Sequence, residues 1–323
     1  MIHPIITSIG LAVLAGVSLV TPALASLSID TFGTGGNAFT MNFVDIGNPG
    51  NANDTSPAGY GGVANAFRMS SYEVSTAMVA KANTAGNLGI TYTSRTADMP
   101  ATSVSWNEAA RFVNWLNVSS GSVAAYNFTT GGVNDNIALW TSGDDGYNAA
   151  NPFRNSNAKY FLPSENEWYK AAYYDPNKTG GAGYWDYATG SDSVPTAVAS
   201  GTSGAVYNGQ SGPADITSAG GLSPYGTMGQ GGNAWEWMET EYDGVNDSSG
   251  SSRGLRGGSW GNNVGSLVSS GRGNPAPSLE NLGIGFRVAS SELAAVPEPT
   301  SLLSTLALVS SGLLLRRRGK VSL

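Results

Sequence analysis

Cysteine is missing from all 323 residues of this chain. Its absence excludes disulfide staples, thiolate metal sites and thiol-based catalysis. Histidine is nearly missing too, since the one copy is His3, and past that position the chain has no imidazole to ligate a transition metal or titrate near neutral pH. Charged residues make up 12% of the chain, so the surface is built largely from Ser, Thr, Asn and the 44 Gly. Positive charge is the scarcest. Four of the 16 basic residues (Arg316, Arg317, Arg318 and Lys320) lie together at the end, leaving 12 upstream against 23 acidic residues, all between Asp30 and Glu298. An acidic chain without a basic cluster in its main part lacks the electrostatic footprint of a nucleic-acid or anionic-lipid binder. Uninterrupted hydrophobic runs of the ~20 residues that span a bilayer comfortably are also lacking.

What is present at the two ends concerns export. Residues 1–25 have the form of a secretory signal, with an apolar stretch from Ile5 to Val20 and Ala23-Leu24-Ala25 as a small-x-small cleavage site before Ser26. Residues 296–323 hold Val296-Pro297-Glu298-Pro299, a short apolar run from Ser301 to Leu315, and then Arg316-Arg317-Arg318. This order resembles the PEP-CTERM sorting signal of Gram-negative bacteria that make exopolysaccharide. The resemblance implies transient inner-membrane insertion and removal of the tail by an exosortase-type processing enzyme. Arginines directly after the apolar run stay cytoplasmic under the positive-inside rule, which leaves 26–295 outside. An ordinary tail anchor is the alternative. The expected destination is the cell envelope, the surface or the extracellular matrix.

Within 26–295, alternation predicts a strand at Thr40–Ile46, a long loop at Asn48–Gly62, and a strand from Phe67 leading into a short helix over Ser75–Ala82. Ser105-Trp106-Asn107-Glu108 reads as a capping box, with Ala109, Phe112, Val113 and Leu116 on one face of a helix ending near Asn117. A second box, Ser164-Glu165-Asn166-Glu167, opens a helix that Asp175-Pro176-Asn177 breaks. The ten glycines between Gly201 and Gly232 favour irregular backbone. Trp/Tyr-rich loops are expected from Asp175-Pro176-Asn177 to Val288.

Several segments carry a resemblance together. In order they are Tyr72-Glu73-Val74, Pro100–Trp106, Leu162–Trp168, Gly231-Gly232-Asn233-Ala234-Trp235-Glu236-Trp237, Arg256-Gly257-Gly258-Ser259-Trp260 and Gly285-Phe286-Arg287. The set resembles the formylglycine-generating enzyme (sulfatase-modifying factor) family and covers roughly 41–290. The Trp168–Pro176 stretch resembles its PEP-CTERM-bearing branch. The resemblance implies an α+β, C-type-lectin-like fold that is loop-rich, with few short helices and small antiparallel sheets.

Catalytic members of that family hold copper with two cysteines placed after the Gly-Gly-Ser-aromatic motif. Here those places fall at about Asn262 and Leu267, and neither a carboxamide nor an isobutyl group supplies a thiolate. Copper and formylglycine synthesis are therefore not expected, and the chain reads as a binding or structural protein, with an extracellular polysaccharide or peptide as its ligand. The ligand site is expected at Ser259, Trp260, Asn262 and Asn263 with Arg272. An enzyme of the same superfamily using non-cysteine chemistry is the alternative. The family also implies calcium, held here by the carbonyls of Gly232 and Ala234 and the Glu236 carboxylate, which are hard oxygen ligands. Gly229 stands where the family usually supplies an Asn or Asp ligand. In the competing reading, Glu236 pairs with a buried arginine, Arg256 or Arg287. Gly257–Gly261 also fits a Gly-x-Ser-x-Gly elbow, which needs a histidine that 26–295 lacks.

Overall fold

The structure, a computed structural model, describes residues 27–56 and 59–291. The expected secretory signal at 1–25 and the expected sorting tail at 296–323 lie outside the described residues. Among the described residues no helix is long and apolar enough to cross a membrane.

A five-stranded antiparallel sheet forms one wall. Its strands are β1 (Leu27–Phe32), β2 (Phe39–Ile46), β3 (Phe67–Ser70), β4 (Tyr160–Phe161) and, from the far end of the chain, residues Ala289–Ser290, which insert between β3 and β4. Register is set by apolar pairs such as Phe32 opposite Phe39 and Val44 opposite Met69. On β2, Phe39, Met41 and Phe43 alternate inward, as a half-buried strand requires. Three helices follow the sheet's early strands: α1 (Thr76–Gly86), α2 (Trp106–Ser119) and α3 (Glu165–Tyr173). Both expected capping boxes are formed, with Ser105 and Ser164 each accepting from the N3 amide while Glu108 and Glu167 reach back.

Two short strands, β5 (Tyr174–Asp175) and β6 (Gly183–Tyr184), make a ribbon after α3. A second sheet then contains β7 (Trp235–Glu241) at its centre, β8 (Arg253–Arg256) antiparallel on one side and β9 (Ile284–Gly285) parallel on the other. The closing strand at Ala289–Ser290 is β10.

Two indoles stitch the layers together. Trp106 Nε1, at the start of α2, donates to the Met238 carbonyl on β7 at 2.9 Å, and Trp237 Nε1 donates back to the Val104 carbonyl at 2.8 Å. Both rings are fully buried, so each indole contributes a large apolar surface while its one polar atom stays satisfied. Asn117 fixes the other end of α2, donating to the Tyr160 carbonyl at 2.7 Å and accepting from the Lys159 and Tyr160 amides. These pins hold β7, and the motif it carries, in place.

The expected strand and loop at 40–62 are observed. The strand from Phe67 stops at Ser70, and α1 runs four residues past Ala82 before Asn87 adopts a left-handed cap.

Candidate functional site

Glu236 is the second residue of β7 and is fully buried. Arg287, two residues beyond β9, meets it as a fork: Nε donates to Oε2 at 2.5 Å and Nη2 to Oε1 at 2.7 Å. Trp168 Nε1 adds a third bond to Oε2 at 2.6 Å. The remaining Arg287 donors reach the Ser70 and Met228 carbonyls at 3.0 and 2.8 Å. This single guanidinium therefore ties β9's end, β3 and the 228 loop to β7. Of the two arginines open to Glu236 in the sequence, Arg287 is the partner. Arg256 instead donates from Nε to Glu165 at 2.7 Å.

Beside this pair sits Glu73, also buried, accepting from Asn233 Nδ2 at 2.6 Å and from the Ala234 amide at 3.1 Å. Burial, reinforced by the neighbouring Glu236 charge, pushes its carboxyl well above the ordinary carboxylate range, against the opposing pull of Arg287. Gly229 makes this possible: a Cβ there would stand 2.9 Å from Glu73 Oε2. The space a side chain at 229 would claim is thus held by the Glu73 carboxylate.

The Glu236 carboxylate does not fit the calcium ion that the family implies. Both Glu236 oxygens are engaged by Arg287 and Trp168, and a divalent cation there would have to displace a buried guanidinium. Gly232 and Ala234 flank Asn233 in the turn before β7. Their amides are used by the Gly257 carbonyl and by Glu73.

Ser259, Trp260, Asn262 and Asn263 share one turn. Asn262 Oδ1 accepts from the Ser259 hydroxyl at 2.6 Å and from its amide at 2.9 Å, and Asn263 Oδ1 caps the short helical turn at 264–266. Arg95 lies over the half-buried Trp260 ring at 4.8 Å. Trp260 Nε1, Asn262 Nδ2 and Asn263 Nδ2 have no acceptor among the described residues, so the turn offers N–H donors outward. Arg272 stands apart from this group. It forks onto Glu165 through two 2.7 Å bonds, donates to the Tyr242 carbonyl at 2.8 Å, and lies over the Tyr60 and Tyr242 rings. Leu267 is buried with Ala205 and Tyr207.

Residues 35–292 match the family model described as the sulfatase-modifying factor enzyme 1-like domain. The chain belongs to this family. Among solved structures it is similar to variable protein 1 of Treponema denticola, at 20% identity and a TM-score of 0.55 over 82% of this chain and 99% of that one. It is also similar to CarF, at 20% identity and a TM-score of 0.54 over 78% and 98%. At this identity the likeness shows the fold, an α+β arrangement of small sheets, short helices and long loops. No curated protein sequence matches the chain.

One group in this family domain was not visible in the sequence. Glu239 on β7, fully buried, accepts from Arg154 Nε and Nη2, from Tyr126 at 2.8 Å and from Asn151 at 2.6 Å. Arg154 also forks onto Glu167, at 3.2 and 3.0 Å, and its guanidinium lies 3.6 Å from the Phe161 ring centroid. Burial alone would raise the Glu167 carboxyl, but Arg154 and the Ser164 cap hold it below its ordinary value. The Tyr126 phenol is pushed well up, by burial first and by the Glu239 charge second. Clefts of about 440 and 210 Å³ flank Arg154 and share it with Asn151 and Glu167. The sequence signals near this group are Glu167's place in a capping box and the carboxylate pair Glu236 and Glu239, whose expected setting, a solvated acidic face, is not what the structure shows, since both are buried. Nothing local points to Arg154, which meets Glu239 across 85 residues of chain.

Proposed function

We propose that the chain is an exported, non-catalytic member of the sulfatase-modifying-factor family that acts as a recognition or structural domain in the cell envelope or extracellular matrix. The observation that carries this reading is the fate of the reactive groups. Thiols are missing at every position. The two places where the family resemblance puts them hold Asn262, bonded to Ser259, and Leu267, packed in an apolar cluster. The β7 carboxylates Glu236 and Glu239 are each engaged by an arginine, Arg287 and Arg154. Glu73, whose carboxyl its surroundings push well up, is buried rather than set in a cleft.

The outward N–H donors of the Trp260 turn supply recognition without chemistry, and an indole face beside amides suits a sugar or a peptide. The two end segments support the location. In this reading an exosortase-type enzyme cuts the tail after transient inner-membrane insertion. Calorimetry of the full chain against the producing organism's exopolysaccharide tests the reading. Saturable binding that weakens in Trp260→Ala is expected. Heatless mixing, together with formylglycine formation on a sulfatase peptide, would overturn it.

A further inference from the structure

A third cleft, of about 580 Å³, lies along the outer face of α2, far in sequence from the Trp260 turn. Trp115, Phe128 and Trp140 line it, with Arg111, Asn87 and Asn127. The volume falls within the ~300–1,000 Å³ typical of small-molecule sites.

Trp115 is built into this cleft. One ring face lies near-parallel to Phe39, with ring centroids 5.8 Å apart and planes at 23°. Its pyrrole edge fits over Gly86: a Cβ at 86 would stand 2.5 Å from Trp115 Cδ1 and 2.8 Å from Nε1. Glycine is an unfavourable residue inside a helix, yet α1 ends on it, and the result is an indole fixed at partial exposure. Trp115 Nε1 has no acceptor among the described residues, although its core-facing counterparts Trp106, Trp168 and Trp237 all do. Trp140 is oriented by its own Nε1, which donates to the Ala125 carbonyl at 3.0 Å.

Arg111 supplies the polar half. Its guanidinium lies 3.9 Å from the Phe128 ring centroid, and Nε and Nη2 bind the Val133 and Gly132 carbonyls at 2.8 and 2.5 Å. Nη1 has no partner among the described residues. One edge of a locked guanidinium is therefore free at the cleft. Arg111 is the only charged residue in the lining, in a domain where acidic residues outnumber basic ones almost two to one. Asp135, the acid that acts on Arg111, is turned to the Gly132 amide in the adjoining loop. The Asn87 and Asn127 side-chain amides are likewise unbonded among the described residues.

We infer that this cleft binds an acidic oligosaccharide, with pyranose faces stacked on Trp115 and Trp140 and a uronate carboxylate on Arg111 Nη1. Flat indole faces suit the apolar faces of sugars. A single fixed guanidinium in an otherwise uncharged lining favours an anionic group, which a uronate supplies as its carboxylate. The inference rests on the binding reading above but places this ligand in a cleft that shares no lining residue with the Trp260 turn.

Calorimetric titration of the full chain with hexagalacturonate tests it, with neutral cellohexaose as comparison. Saturable binding is expected, weaker by about tenfold or more in Trp115→Ala and partly restored in Trp115→Phe. Gly86→Ala should weaken it as well, by pressing the Trp115 indole and Leu88 from beneath while replacing no residue of the cleft. Binding should fall with salt and lose that dependence in Arg111→Gln. Trp260→Ala should leave it unchanged. If Trp115→Ala does not fold, Arg111→Gln and Gly86→Ala still decide the matter. Equal affinity for cellohexaose, or no hexagalacturonate binding while the native exopolysaccharide binds, would overturn the cleft assignment and leave the broader binding reading standing. Loss of hexagalacturonate binding in Trp260→Ala alone would overturn it too.

Discussion

Removing the Arg287 guanidinium should be among the most costly single changes in this protein. In Arg287→Met the side-chain volume is roughly kept, but Glu236 loses both forked donors and retains only Trp168 Nε1. Its Oε1 is left unpaired in a site with no solvent exposure. Breaking a buried pair from one side costs about 3–5 kcal/mol. The Ser70 and Met228 carbonyls also lose a donor, adding about 1 kcal/mol each. A loss of roughly 5–7 kcal/mol would consume much of a typical ~5–15 kcal/mol stability. Urea unfolding followed by tryptophan fluorescence at pH 7 measures it. One further feature follows from the same geometry. The double variant Arg287→Met/Glu236→Gln should recover several kcal/mol, since the amide oxygen still accepts from Trp168 and the orphan charge is gone. A single-variant loss under about 2 kcal/mol, or a double variant no better than Arg287→Met, would refute the claim that the pair organises this layer.

The other expectations are smaller in scale. Glu73 titrates well above its ordinary 4.5 in the folded state, so the native protein binds the extra proton. Stability should therefore fall as pH rises from 4.5 toward the raised value. Glu73→Met should flatten that slope in urea midpoints measured across the range, whatever its effect on absolute stability, and an unchanged slope would contradict the assignment. Ser105→Ala removes a buried cap that accepts from the Glu108 amide at 3.1 Å and should cost about 1 kcal/mol, or about 2–4 °C in Tm by scanning calorimetry. Calcium and chelator should give the same Tm, because Glu236 has no free oxygen. A rise of several degrees with calcium would show that a cation is bound elsewhere or displaces Arg287.

Helix starts were legible because their causes are local. Ser105 and Ser164 sit three residues before a glutamate, and that spacing alone closes each capping box. The strand at 39–46 was legible from its alternation. The strands β1, β7 and β8 were not, for different reasons. On β1, Leu27 and Ile29 point outward, exposed by 59% and 62%, so the chain is apolar where a half-buried strand is usually polar. On β7 and β8, both faces are buried and the charged residues Glu236, Glu239, Arg253 and Arg256 lie inside. Their pattern looks like a polar loop unless the arginine partners are known.

The sequence by itself determined the family, the lack of thiol chemistry and the likeness of the two ends to export signals, because each depends on which residues occur and in what order. For Glu236 it offered calcium or a buried arginine, with Arg256 and Arg287 as the candidates. Only the tertiary structure chose between them, since the choice depends on β9 running parallel beside β7 and placing Arg287 under Glu236, while α3 brings Glu165 to Arg256. The same is true of Arg272, grouped by sequence with the Trp260 turn but held on Glu165 by the fold. Glu73 filling the space beside Gly229, Arg154 bridging Glu167 and Glu239, and Trp115 resting on Gly86 are likewise contacts between segments distant along the chain. No local pattern encodes them, because charge pairing and close packing respond to distance in space.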